Sequence, residues 1–348
     1  MKVDVKLFKE ICEAPGAPGF EDKIRKIIIR EVKSYVDELS IDNMGSVIAV
    51  KKGKSDEKKV MAAAHMDEIG FLVSHIDNNG FIRFQTLGGF DPKTLTSQRV
   101  IIHGKKDVIG VMGSKPIHMM KSEERNKPSK IEDYYIDCGM SRKDVVKLIG
   151  IGDPITRQRE LVEMGDCLNC KSIDNRVSVY ILVETLKRLK TIPYDFYGVF
   201  TVQEEVGLRG ANVASHHIDP DFGIALDTTI AYDLPGAQEH ERVTELGKGT
   251  AIKIMDASAI CDTRMVKFLK DTADKHKIPW QPEILAAGGT DTAGLQRNGK
   301  QGSIAGAISI PTRHLHQVIE MAHKKDIVNS IELLMRALEE IDTGKWTF

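Results

Sequence analysis

The sequence predicts an α/β protein: a sheet flanked by helices and interrupted by an inserted β-rich module. Helical and strand-like runs alternate near both ends of the chain, whereas helical periodicity almost vanishes between about Ile69 and Met164. The length of 348 residues leaves room for two units, since a domain averages roughly 150 residues.

Each element has its own warrant. After Asp4, Val5, Phe8, Ile11 and Cys12 recur as one helical face, which Pro15-Gly16-Ala17-Pro18-Gly19 ends. A second helix is predicted from about Glu21, with Ile24, Ile27, Ile28, Val32 and Tyr35 on one face. Strands follow at Ser46–Val50 and Lys59–Ala64. The central block reads as a barrel or sandwich: short apolar runs separated by turns such as Asp77-Asn78-Asn79-Gly80, with one short helix opened by Ser141 and Asp144 as a capping-box variant. Beyond it, helices are predicted over Asp174–Lys190, Gly210–His216, Asp262–His276 and Asp326–Ile341. Strands are predicted over Asp195–Val202, Phe222–Leu226, Glu283–Ala286 and Ser303–Ile310, the last stopped by Pro311.

Composition narrows the function classes. Forty-one per cent hydrophobic and 28% charged residues describe a globular chain. Charges nearly cancel, 49 basic against 50 acidic, so neither nucleic acid nor an anionic membrane is an expected partner. No apolar run approaches the roughly 18 residues of a membrane span, and charges in the first six residues argue against a signal peptide. Five scattered cysteines fit a reducing, cytoplasmic setting. Cys167-Leu168-Asn169-Cys170 has no second such pair and reads as structural.

The chemistry gathers at strand ends. His65 and Asp67 lie two apart after an apolar strand, so extended backbone points both to one side. Asp174 opens a helix, where the terminus favours an ionised carboxylate. Glu204 and Glu205 follow another apolar strand; adjacent carboxylates repel there unless a cation sits beside them. Asp227 ends a third strand, and His314 or His316 follows a fourth, with spacing unable to separate the two. Imidazoles and carboxylates without thiolates suit Zn²⁺, Co²⁺ or Mn²⁺. Five ligands plus a free carboxylate exceed one tetrahedral site and suit two ions about 3.5–4 Å apart.

Ala64-His65-Met66-Asp67-Glu68-Ile69-Gly70, Gln203-Glu204-Glu205-Val206-Gly207-Leu208-Arg209-Gly210 and Gly288-Gly289-Thr290-Asp291 resemble the motifs of the tetrahedral dinuclear aminopeptidases. This family includes glutamyl, leucyl, lysyl and deblocking enzymes and members labelled cellulases. The resemblance runs nearly end to end, taking in Ala14–Glu21 and Gly113–His118. It implies a zinc-peptidase-like mixed sheet built from residues 1–68 and 165–348, with a PDZ-like dimerisation barrel over 69–164. It assigns His65 and Asp227 to one metal, Glu205 and His316 to the other, Asp174 as the bridge, Glu204 as general base and Asp67 as the support of His65. The family's terminal Arg-Tyr-x-His-Ser pattern selects His316, although here His314 replaces the tyrosine, Gln317 the serine, and Asn175 a frequent aspartate.

The expected reaction is removal of N-terminal residues from peptides with a free α-amino group, by a hydroxide bridging two divalent ions. The resemblance also implies dimers assembling into a dodecamer. An N-deacylase or carboxypeptidase would use the same ligands. A glycosidase is disfavoured because Glu204 and Glu205 are sequence neighbours, whereas its two carboxyls face each other across a sugar. An intact ligand set argues against an inactive scaffold.

Overall fold

Seventeen strands build two sheets in the computed structural model, which describes residues 1–55, 57–190 and 192–347. The chain enters with Glu38–Ile41 (β1), Val47–Lys51 (β2) and Lys59–His65 (β3). It then leaves the sheet for Gly70–Ile76 (β4), Ile82–Leu87 (β5), Arg99–His103 (β6), Asp107–Gly113 (β7), Tyr135–Asp137 (β8) and Pro154–Arg157 (β9). These six close into a barrel in the order β4-β5-β8-β7-β6-β9. Closure resolves the sequence's choice between barrel and sandwich and leaves no free sheet edge. The barrel has its own apolar core, including Phe71, Val100, Ile102, Ile136 and Ile155.

The chain returns through Val162–Met164 (β10), Cys167–Cys170 (β11), Asp195–Thr201 (β12), Phe222–Ile230 (β13), Thr250–Met255 (β14), Trp280–Ile284 (β15), Ile304–Arg313 (β16) and Glu320–His323 (β17). The resulting 11-stranded mixed sheet has the path β1-β2-β12-β3-β13-β16-β17-β11-β10, with β14 joining β16 and β15. Its centre, β12-β3-β13-β16, is parallel. Parallel strands are covered on both faces and therefore read as continuous apolar runs. Val60, Ala62 and Ala64 pack on one side with the helices Val5–Glu13, Ile173–Arg188 and Lys324–Glu340. Met61 and Ala63 face Ala211, Ala214 and Leu295 on the other. The helix Ile173–Arg188 is buried on almost every side, so its sequence lacks a polar stripe. No helix among the described residues is long and apolar enough to cross a membrane.

Several local expectations change. The strand containing Asp227 continues to Ile230, because β16 remains its partner as far as Thr312 after the β3 ladder ends at Leu226. Pro311 does not stop β16. The Thr312 carbonyl accepts from Ala231 on the β13 side, so Pro311 faces the opposite edge, where β14 has finished at Ser309 and β17 begins at Thr312. Ser141 precedes the helix Arg142–Leu148, but its hydroxyl donates to the Asp144 carboxylate at 2.8 Å instead of capping the backbone. Cys167 and Cys170 are free and bound the short strand β11. The edge strands β1 and β10, and the interior strands β11, β14 and β17, have no counterpart in the sequence pattern.

A buried ionic cluster fastens the point where the chain leaves the sheet. Glu68 accepts from Lys171 Nζ at 2.5 Å and from Ser172 Oγ at 2.6 Å, with Arg176 Nη2 at 3.8 Å. Arg176 Nη1 also donates to the Ile11 and Ala14 carbonyls at 2.7 and 2.8 Å. Burial opposes ionisation of Glu68, yet Lys171 and Arg176 hold its carboxyl below the usual range. The cluster ties the segment after His65 to the segment before Asp174. Glu68→Ala would leave two buried cations without their counter-charge, at a cost of about 3–5 kcal/mol. Urea unfolding should show this loss, and stability within about 1 kcal/mol of wild type would contradict it.

Candidate metal centre

The proposed ligands arrive from separate strand ends and meet at the carboxyl edge of the parallel sheet, where open α/β sheets bind ligands. His65 closes β3, opposite Thr201 of β12. Asp227 lies one residue beyond the last β3–β13 pair, with its carboxylate buried and accepting from the Thr228 backbone N–H at 2.8 Å. Glu204 and Glu205 sit in the turn after β12. Gly207 has φ +124°, and a Cβ on Gly210 would lie 2.5 Å from the Val202 carbonyl oxygen, so this turn requires both glycines. Asp174, placed by sequence at a helix start, lies in the first turn with extended dihedrals (φ −75°, ψ 111°), and its peptide bond to Asn175 is cis. His316 is in the loop after β16 with φ 61°.

His65 Nε2 is 3.3 Å from Asp174 Oδ1, 3.7 Å from Asp227 Oδ1 and 3.8 Å from Glu204 Oε2. His316 Nε2 is 3.5 Å from Asp174 Oδ2 and 3.6 Å from Glu205 Oε2. The two oxygens of Asp174 thus face different imidazoles. Ions bound at about 2.0–2.2 Å by nitrogen and oxygen set tetrahedral ligand atoms about 3.3–3.6 Å apart. The separations fall at or just above that edge length and are long for hydrogen bonds. Asp174 Oδ1 is buried without a hydrogen-bond partner among the described residues. The donor set therefore fits divalent metal. His316 Nδ1 contacts the Gly89 carbonyl at 2.8 Å, an arrangement that would direct Nε2 towards a metal.

Asp67 has a role that sequence spacing did not show. Its oxygens accept from the Glu204 and Glu205 backbone N–H groups at 3.1 and 3.2 Å, while Oδ1 is 3.4 Å from His65 Nδ1. It holds the glutamate turn as well as facing the histidine. Asp291 belongs to the same buried neighbourhood and accepts from Thr201 Oγ1 at 2.5 Å. The Gly-Gly-Thr-Asp motif was its only sequence signal. His314 does not line the cleft, whereas Leu315 and His316 do.

Burial, with Asp227, Glu205 and Asp291 nearby, pushes the Glu204 carboxyl well above its usual range. Burial and the Asp174 charge push Glu205 up to about 8. Asp291 rises to about 7, again mainly by burial. Burial lowers the proton affinity of His316, but Asp174 and Glu205 overcome this and raise its pKa to about 10. The same contacts with His316 and His65 keep Asp174 ionised against its own burial. Metal cations would reverse much of this protonation, because they stabilise the carboxylates and compete for the imidazoles. The cleft above these groups encloses about 550 Å³, with Ile230, Leu285, Ala287 and Leu315 among its apolar walls.

The profile of the M42 glutamyl aminopeptidase family matches residues 45–333. Lysyl aminopeptidase from Pyrococcus furiosus is 36% identical over 358 residues, covering 99% of each chain. Aminopeptidase APDkam598 from the archaeon Desulfurococcus kamchatkensis superposes with a TM-score of 0.94 at 36% identity, covering 99% of this chain and 98% of that one. The TET1 peptidase from Pyrococcus horikoshii, described as able to assemble into a tetrahedron or a large octahedral shell, gives 0.86 at 30% identity, covering 97% of this chain and 99% of that one. Sequence and fold agree over nearly the whole length: the chain belongs to the M42 glutamyl aminopeptidase family and is a peptidase of the aminopeptidase class.

Proposed function

We propose that the chain removes N-terminal residues from peptides bearing a free α-amino group, with two divalent ions per subunit, Zn²⁺ or Co²⁺ first and Mn²⁺ as a further candidate. The observation that carries the dinuclear reading is Asp174, whose two carboxylate oxygens face His65 and His316 at 3.3 and 3.5 Å. His65 and Asp227 would hold one ion and Glu205 and His316 the other, with Asp174 placed to serve both.

When bound, such ions lower the pKa of a water towards 7 and polarise the scissile carbonyl. Glu204 is the general base: it takes the proton of the attacking water and returns it to the leaving amine. Asp67 keeps Glu204 and Glu205 in place through their backbone N–H groups. The acidic surroundings suit an ammonium group, which supports action at the N-terminus.

The proposed division is a catalytic unit of residues 1–68 plus 165–348 and an inserted unit of 69–164. The insert serves self-association, with dimers assembling into a dodecamer in the cytoplasm. Exposed Ile109, Val111, Ile117 and Met119 on the barrel side support this use, as does the assembly described for the TET1 peptidase.

Aminoacyl chromogenic amides should be hydrolysed, their N-acetylated forms should not, and a chelator should abolish turnover until Zn²⁺, Co²⁺ or Mn²⁺ is restored. Preferential cleavage of the acetylated forms would favour a deacylase. Glu204→Gln should lower kcat by about 10²–10⁴-fold with both ions retained. By contrast, His316→Ala should lose metal and turnover while His314→Ala keeps both; elemental analysis beside the assay checks all three. Sedimentation velocity at micromolar protein should show assemblies larger than a dimer, and a purely monomeric profile would remove the assembly proposal.

A further inference from the structure

We infer that Arg157 and Glu320 are positioning residues through which the barrel holds Asp174 in the metal centre. The inference rests on the dinuclear reading above and adds a task for the insert separate from self-association. Arg157 is the last residue of barrel strand β9 and is 1% exposed. Its Nη2 donates to the Lys171 carbonyl at 2.7 Å, three residues before Asp174, and lies 4.0 Å from Glu320 Oε1. Glu320, fully buried at the start of β17, accepts the Asp174 backbone N–H on its other oxygen at 2.8 Å.

That contact answers a need. The first N–H groups of a helix have no intrahelical acceptor, and the Asp174 amide is buried. Glu320 is the acceptor that satisfies it and so fixes the backbone that aims the Asp174 oxygens at the two histidines. A carboxylate cannot be kept there cheaply without a nearby cation. Burial and the Asp174 charge push the Glu320 carboxyl well above its usual range, and the nearby charges of Arg157 and His316 act against that rise.

A second thread comes from the same module. The Arg157 guanidinium lies 6.0 Å from the Phe90 ring centroid, and Phe90 stacks on Phe71 of the barrel core at 4.5 Å. The preceding residue, Gly89, offers its carbonyl to His316 Nδ1. Barrel groups thus reach both Asp174 and His316.

The test counts ions per subunit in the whole protein during dialysis against graded chelator, with Zn²⁺ as the probe. Glu320→Leu and the charge-free double variant Arg157→Met/Glu320→Leu should give up one of the two ions at 10–100-fold lower chelator. Glu320→Gln, whose amide oxygen still accepts the Asp174 N–H, should keep that ion nearly as wild type does. Replacing a buried pair by apolar groups of similar size is often neutral for folding, so the double variant provides a folded test should the single change prove unstable. Equal retention of both ions by wild type and double variant would overturn the inference, as would equal loss in the Gln and Leu variants. Wild-type protein that never holds two ions would instead fail the dinuclear reading itself, taking this inference with it.

Discussion

Buried like charge is the constraint around which the rest is organised. Asp67, Asp174, Glu204, Glu205, Asp227 and Asp291 are brought beside His65 at one edge of a parallel sheet, nearly all out of water. Left alone, such a group neutralises by taking up protons, and the raised carboxyl pKa values show that tendency. Divalent cations provide the other remedy. The geometry favours it, because the imidazole–carboxylate gaps are too wide for good hydrogen bonds and close to the separations of ligands around a common ion. The strand ends, the Gly207–Gly210 turn and the exit into the barrel all act to hold this charge together.

Much of that arrangement was legible in the chain. Parallel strands buried on both faces announce themselves as unbroken apolar runs, and the polar residues that interrupt them are conspicuous, as His65, Glu204 and Asp227 are. Short edge strands such as β1 and β10 are exposed and weakly patterned, so local periodicity offered little to read. Pro311 misled because the rule against proline in strands concerns a lost donor, and here the position faces a stretch between two partners. The choice between His314 and His316 was beyond spacing alone; the loop's left-handed backbone at both residues has no clear sequence signature.

The supporting groups were hardest to foresee. Glu68 and Asp291 stand inside recognisable motifs, but nothing local says what they bind. Arg157 and Glu320 are 163 residues apart, and each looks like an ordinary polar residue near a strand end. Their proximity is a product of topology. It exists only because β17 lies beside β11 in the large sheet while β9 delivers the chain back from the barrel. A pairing of this kind is decided by long-range packing, after the strands themselves are set.

The Glu68 cluster also bears on how the two sheets are joined. The outgoing strand connection and the segment that carries the returning chain to the helix at Ile173 are riveted side by side by the same carboxylate. The barrel's point of departure and its point of return are thus moored to a single buried carboxylate, a few residues from His65 on one side and Asp174 on the other.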